Sequence, residues 1–268
     1  MAIRLVAIDL DDTMLRDDWT ISPRVAKAIK KAQSQGVKMT IATGRMPISA
    51  RPYAKQLGLD VPMITYHGAM IEQVLSGQIL FRRVVNSALA AEIIEDVTRR
   101  GVHAQLYLKD RVIAPKINDW ARLYERIASV RCEQGDLTTL LSQEPEGVEK
   151  ILLMAEEAAL NQLAPVLRQY YGEKVHITKS KPFFLEIMNG SVNKGVALAF
   201  LAAHLGIAQE DVMAIGDSYN DLEMIKYAGF GVAMGNAPAE IIEQADVVTV
   251  TNEEDGVAEA IERYVLHG

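Results

Sequence analysis

Three carboxylates fall within four positions at Asp9-Leu10-Asp11-Asp12-Thr13, directly behind the apolar run Leu5 to Ile8. Carboxylates packed that tightly repel, and without a cation at least one is expected to keep its proton. A divalent cation removes the conflict. Magnesium takes carboxylate and carbonyl oxygens while keeping several waters, so one or two of these groups plus one from elsewhere would suffice. Read in isolation, the same residues could form a solvated acidic turn or a helix N-cap.

Three other segments carry matching chemistry. Thr43-Gly44-Arg45 closes the apolar run Val37 to Ala42. A hydroxyl, a glycine amide open to approach and a guanidinium can all grip phosphoryl oxygens, although such loops also serve as plain tight turns. Lys194 opens a helical segment in Asn189-Gly190-Ser191-Val192-Asn193-Lys194-Gly195. A lysine there opposes the helix dipole, which an anion at the helix N-terminus would reverse; a solvated surface lysine is the plainer alternative. The loop Gly216-Asp217-Ser218-Tyr219-Asn220-Asp221 lies between an apolar strand and a helix. Asp217 would point into a crevice as a further metal ligand, and Asp221 would orient a metal-bound water or act as a helix N-terminal acid. Together the four segments supply carboxylates, a lysine, a hydroxyl and backbone amides. Phosphoryl transfer needs that inventory for charge neutralisation, positioning and an in-line nucleophile.

The elements that must position these groups are short apolar runs alternating with helical patterns. Ser22-Pro23 begins a helix that carries Val25, Ile29 and Ala32 at helical spacing and stops at Gly36. Met63 to Tyr66 reads as a third strand, and Ile71 to Leu75 with Ile79 to Phe81 as a hairpin. The C-terminal part repeats the alternation: a helix Lys194 to Leu205, a strand Val212 to Ile215, a helix to Ala228, a strand Gly231 to Met234, a helix from Pro238, a strand Val247 to Val250 and a helix from Asp255. Apolar strands followed by helices predict a doubly wound parallel sheet, the Rossmann-like α/β arrangement, with its ligand crevice at the carboxyl ends of the strands. The middle differs. Ser87 caps a helix to Arg100, His103 to Leu108 and Arg111 to Ala114 flank a Lys109-Asp110 turn, and Val148 to Met154, a helix Glu156 to Tyr171, Val175 to Thr178 and Phe183 to Met188 follow. This pattern predicts an α+β unit inserted over 82–189 between core segments 1–81 and 190–268.

Bulk properties narrow the classes. The net charge is −7 and no Lys/Arg-rich run occurs, so no nucleic-acid partner is expected. No apolar stretch reaches membrane-spanning length, and no signal sequence or obligate protein partner is evident. The single cysteine, Cys132, rules out an internal disulfide and suits a cytoplasmic setting; it reads as a bland thiol. The histidines His67, His103, His176, His204 and His267 lack metal-ligand spacing and read as structural or exposed. Met213, Met224 and Met234 fall in core-like runs. Phe183, Phe184 and Glu186 could line a pocket or pack a core.

In this order, Asp9-Leu10-Asp11-Asp12-Thr13, Thr43-Gly44-Arg45, Lys194 and the loop Gly216 to Asp221 resemble the four motifs of the haloacid dehalogenase superfamily. The insertion between the second and third motifs is similar to the α/β cap of its Cof-type (class IIB) hydrolases, many of which are sugar-phosphate phosphatases. Asp12 departs from the glycine that many members carry. The resemblance implies that Asp9 is the nucleophile forming an aspartyl-phosphate and that Asp11 is the general acid and base. It implies Mg2+ held by the Asp9 carboxylate, the Asp11 backbone carbonyl and Asp217, with Asp221 supporting a bound water. Thr43, Lys194, the backbone amides of Leu10 and Gly44, and Asn220 would hold phosphoryl oxygens of a small phosphorylated metabolite. The second aspartate, Asp11, implies a phosphatase rather than a dehalogenase.

Other readings stay open. A phosphomutase on the same scaffold would pass the phosphoryl group to a sugar hydroxyl instead of water. A dinucleotide-binding oxidoreductase would need Gly-x-Gly-x-x-Gly after the first strand, where this chain has an acidic loop. A non-catalytic binding protein would fit better had a key carboxylate or Lys194 been replaced.

Overall fold

Leu5–Ile8 is buried along its whole length and bonds to parallel strands on both sides, Val212–Gly216 and Lys38–Ile41. It is the middle of a computed structural model that describes residues 2–266; His267 lies outside the described residues. Phe230–Ala233 and Val247–Val248 extend the sheet beyond Val212–Gly216, all in parallel. The side chains of the central strand divide between two cores. Val6 and Ile8 join Val25, Ile29 and Ile261, while Leu5 and Ala7 join Leu198, Leu201 and Met224. Both faces of the sheet are therefore covered by helices, which is the doubly wound α/β arrangement expected from the unbroken apolar runs.

The strand register determines where the loops emerge. Ile8 pairs with Ile215 on one side and Ile41 on the other. Asp9 N–H then donates to the Ile215 carbonyl at 3.0 Å, and Ala42 N–H to the Ile8 carbonyl at 2.9 Å. Asp9, Asp217 and Thr43 consequently leave three adjacent strands at the same carboxyl edge. A single bridge, Ala42 to Ile64, continues the sheet into Met63–Thr65, which belongs to a separate three-stranded sheet with Met70–Glu72 and Ile79–Arg82.

The chain groups into two units, one of residues 2–44, Ala50–Phe81 and residues 193–266, the other of Arg45–Ser49 and Arg82–Val192. Residues 190–192, expected with the first segment set, group with the second. The second unit is built on a sheet ordered Val175–Lys181, Phe184–Asn189, Lys150–Met154, His103–Leu108, Arg111–Ala114 and Cys132–Gln134. Its pairs are antiparallel apart from the last, which is parallel. Helices Ser87–Arg99, Leu137–Gln143 and Glu157–Tyr171 pack their apolar sides onto Leu106, Ile151, Leu153 and Leu185.

Local signals explain several boundaries. Ser22 caps Pro23–Ser34 by accepting from Val25 N–H at 3.1 Å. The first cap of the second unit is Asn86, not Ser87: Asn86 Oδ1 accepts from Leu89 N–H at 2.9 Å and Ser87 is already helical. Asparagine is at least as good an N-cap as serine, so neighbouring candidates are hard to separate by type. Pro47–Gln56, Asp119–Ala128 and Leu137–Gln143 received no assignment from the sequence pattern; the first carries Pro52 in its interior, which disrupts the usual helical signal. No helix among the described residues is long and apolar enough to cross a membrane.

Candidate active site

Asp9 leaves the central strand with extended backbone, and Leu10–Met14 forms one turn after it. Asp11 is extended and half-buried, while Asp12 is left-handed at φ 59°. Aspartate tolerates that region better than most residues with a β-carbon, which explains how it can occupy a position suited to glycine. Thr13 faces inward, and its Oγ1 donates to Asp217 Oδ1 at 2.6 Å. This hydroxyl ties the first acidic turn to the loop after Val212–Gly216.

Lys194 is the first residue of Lys194–His204, positioned by Asn193, whose Oδ1 accepts from Val196 N–H at 2.8 Å. Its side chain is wholly buried, so the solvated-lysine alternative is wrong. Nζ donates to Asp9 Oδ1 and to Asp221 Oδ1, each at 2.5 Å. Asp221, also fully buried, turns its other oxygen back on its own loop: Oδ2 accepts from Asp217 N–H and Ser218 N–H at 3.1 Å. Ser218 Oγ accepts in return from Asp221 N–H, which completes a capping box. Asp221 is thus both a helix-start acid and a counter-ion of Lys194.

The carboxylate oxygens of Asp9, Asp217 and Asp221 lie within 4.8 Å of one another. Burial pushes the Asp9 carboxyl well above the usual range; Lys194 opposes this, while Asp221, Asp217 and Asp11 reinforce it. Burial likewise pushes Asp217 up to about 8, with Asp221 and Asp12 adding to the rise and the Thr13 hydroxyl and Lys194 countering it. For Lys194, burial would favour the neutral amine, but Asp221 and Asp9 outweigh it and hold the ammonium more tightly than usual. Three crowded acids share one ammonium. A buried, all-oxygen donor set with excess negative charge fits a hard divalent cation such as magnesium.

Of the residues singled out from the sequence, Asp9, Lys194, Asp217 and Asp221 meet directly. Asp11 is close enough to raise the Asp9 proton affinity, although its carboxylate is outside the three-acid cluster. Leu10 opens the turn after Asp9, and buried Thr43 with Gly44 follows the neighbouring strand. Asn220 is buried and faces His67: its Nδ2 lies 3.3 Å from the ring Nδ1. Arg45 instead groups with the second unit, where its guanidinium reaches Ser49 Oγ at 3.3 Å. Phe184 and Glu186 are buried in that unit, Phe184 against Tyr124 and Glu186 in an ion pair with Lys150 at 2.6 Å. Cys132 is half-buried, and burial pushes its thiol up to about 12, consistent with an unreactive group. Sequence reasoning gave no roles to Thr13 or Ser218 and read His67 as structural or exposed; it is buried beside Asn220. Ser218 carried a usable signal, a serine three residues before an acid at a helix start; His67 carried none.

Known proteins resemble this chain over most of its length. The protein family described as haloacid dehalogenase-like hydrolase matches residues 6–261. A 5-amino-6-(5-phospho-D-ribitylamino)uracil phosphatase of Bacillus subtilis is 34% identical, covering 98% of this chain and 96% of its own. An HMP-PP phosphatase of Cronobacter sakazakii is 31% identical over 89% of this chain and 86% of its own. The crystal structure of a haloacid dehalogenase-like hydrolase from Bacteroides thetaiotaomicron superposes with a TM-score of 0.86 at 30% identity, covering 97% of this chain and 99% of that one.

Proposed function

Because this chain belongs to the haloacid dehalogenase-like hydrolases, we propose that it is a magnesium-dependent phosphatase acting on small phosphorylated metabolites, sugar phosphates or similar phosphomonoesters. The observation that carries the reading is the buried bridge from Lys194 to both Asp9 and Asp221, beside Asp217. Burying an ammonium among three carboxylates is costly and serves a ligand that is itself charged. The similarity to two phosphatases named for different substrates supports the reaction class. It leaves the ester to be chosen by the inserted segment 82–189, which we assign the role of a specificity cap.

In this mechanism an Asp9 carboxylate oxygen attacks phosphorus while the phosphorus–oxygen ester bond breaks. Asp11 gives its proton to the departing alkoxide. It then takes a proton from a water that attacks the aspartyl-phosphate, releasing inorganic phosphate and restoring Asp9. Lys194, Thr43, Asn220 and the backbone amides of Leu10 and Gly44 bind the phosphoryl oxygens and balance their charge. Magnesium, held by the Asp9 carboxylate, the Asp11 carbonyl and Asp217 with Asp221 supporting a bound water, would neutralise charge on the transferred group.

A screen of phosphomonoesters with and without magnesium tests the class, and Asp9→Asn tests the mechanism. Wild-type protein should release inorganic phosphate only with magnesium. Asp9→Asn should lose about a thousandfold or more in kcat while retaining its thermal transition. Near-normal hydrolysis by the variant would falsify covalent catalysis by Asp9.

A further inference from the structure

The turn Tyr66–Gly68 is left-handed at every residue: φ is 50° at Tyr66, 55° at His67 and 101° at Gly68. Such backbone is unfavourable for a tyrosine or histidine and persists only where its surroundings hold it. Here the surroundings are three of the segments that carry the site. His67 N–H donates to the Thr43 carbonyl at 3.0 Å. The His67 ring lies on Gly44, where a β-carbon would stand 2.2 Å from Cε1. A β-carbon on Gly68 would stand 2.3 Å from the carbonyl oxygen of Asn193, the cap of the Lys194 helix. The ring Nδ1 faces the Asn220 amide at 3.3 Å.

The contacts continue from the ring into the loop after Val212–Gly216. Ser218 Oγ accepts from Asp221 N–H and donates to Asn220 Oδ1 at 3.0 Å. The Asn220 Nδ2 lies on the far side of that amide, facing His67 Nδ1 at 3.3 Å. We propose that His67 is a positioning residue: its ring holds the Asn220 amide and covers Gly44, setting the phosphoryl-binding side of the site. This rests on the phosphatase reading above, in which Asn220 and Gly44 bind phosphoryl oxygens.

Two substitutions separate positioning from folding. Glycine adopts φ near 55° freely, so His67→Gly keeps the turn while removing the ring. His67→Asn tolerates the same backbone and keeps a side-chain acceptor. Calorimetry with inorganic phosphate and magnesium, alongside steady-state kinetics on a substrate of the wild-type protein, gives the readout. His67→Gly should raise the phosphate Kd and the KM by roughly tenfold, with kcat within about threefold, and His67→Asn should recover most of the loss. In an Asn220→Ala background, His67→Gly should add less than about twofold. Losses that multiply in full, or a lower kcat with unchanged KM and phosphate Kd, would overturn the proposal. Phosphate binding is scored without turnover, so an absence of ester hydrolysis by wild-type protein counts against the phosphatase reading and not against this one.

Discussion

Thr13 and Asp217 are 204 residues apart in the chain, yet the threonine hydroxyl donates to the aspartate carboxylate at 2.6 Å across a buried contact. The bond opposes the rise that burial imposes on the Asp217 carboxyl, and it fixes which way that carboxylate points. Groups that orient a metal ligand typically change affinity by about ten- to a hundredfold when removed.

Thr13→Val keeps the shape and removes the hydroxyl. It should raise the magnesium concentration for half-maximal activity by about tenfold or more, with a smaller effect on kcat at saturating magnesium. A magnesium titration of activity measures this. An unchanged midpoint would mean that Asp217 is oriented without Thr13.

Lys194 separates two buried carboxylates, and its removal leaves them facing each other. Lys194→Met should cost about 3 kcal/mol of stability or more in metal-free protein, beyond the loss of activity, because breaking a buried ion pair strands its partners. Urea denaturation with a chelator present measures it. Adding Asp221→Asn to Lys194→Met should restore part of the loss. A single variant as stable as wild type would show that the two acids shed their charge at little cost.

The chemistry of the site was more legible in the sequence than the contacts that position it. Asp9, Lys194 and Asp217 stand out because each is a charged residue at the end of an apolar run or the start of a helix, and parallel strand register brings such ends together. The two-faced burial of Leu5–Ile8 was legible for the same reason. Thr13 and His67 act through long-range contacts that leave no period in the chain. Met63 to Tyr66 reads as one strand, but the strand ends at Thr65 and Tyr66 turns left-handed, which puts His67 beside Asn220. Asn86 and Ser87 are both good caps, and only the structure shows which side chain accepts the bond.

Asp12 sits at φ 59°, ψ 9°, a conformation in which a β-carbon is normally penalised. Aspartate offsets part of that penalty through its short polar side chain, and glycine escapes it. Asp12→Gly should therefore stay within about 1 kcal/mol of wild type, whereas Asp12→Ala should be about 1 kcal/mol less stable than Asp12→Gly. Chemical denaturation of both variants decides the matter, and an alanine variant more stable than the glycine variant would refute the backbone argument.

The Asp217 carboxyl also predicts how metal-free protein responds to pH. Its ordinary value is 3.8, and in the fold burial and Asp221 raise it to about 8. Through that interval the folded chain holds a proton that the unfolded chain has released. The stabilising contribution is therefore full below about pH 4 and is lost progressively as pH rises through about 8. With a chelator present, the urea midpoint should be lower near pH 8 than near pH 5. Magnesium should flatten the slope by taking the place of the proton, so its stabilising effect should be larger at the higher pH. Asp217→Asn removes the titrating group and should remove this part of the pH dependence as well. If metal-free wild type instead became more stable between those two pH values, or if the variant kept the full slope, Asp217 would not be the acid that crowding forces to hold its proton.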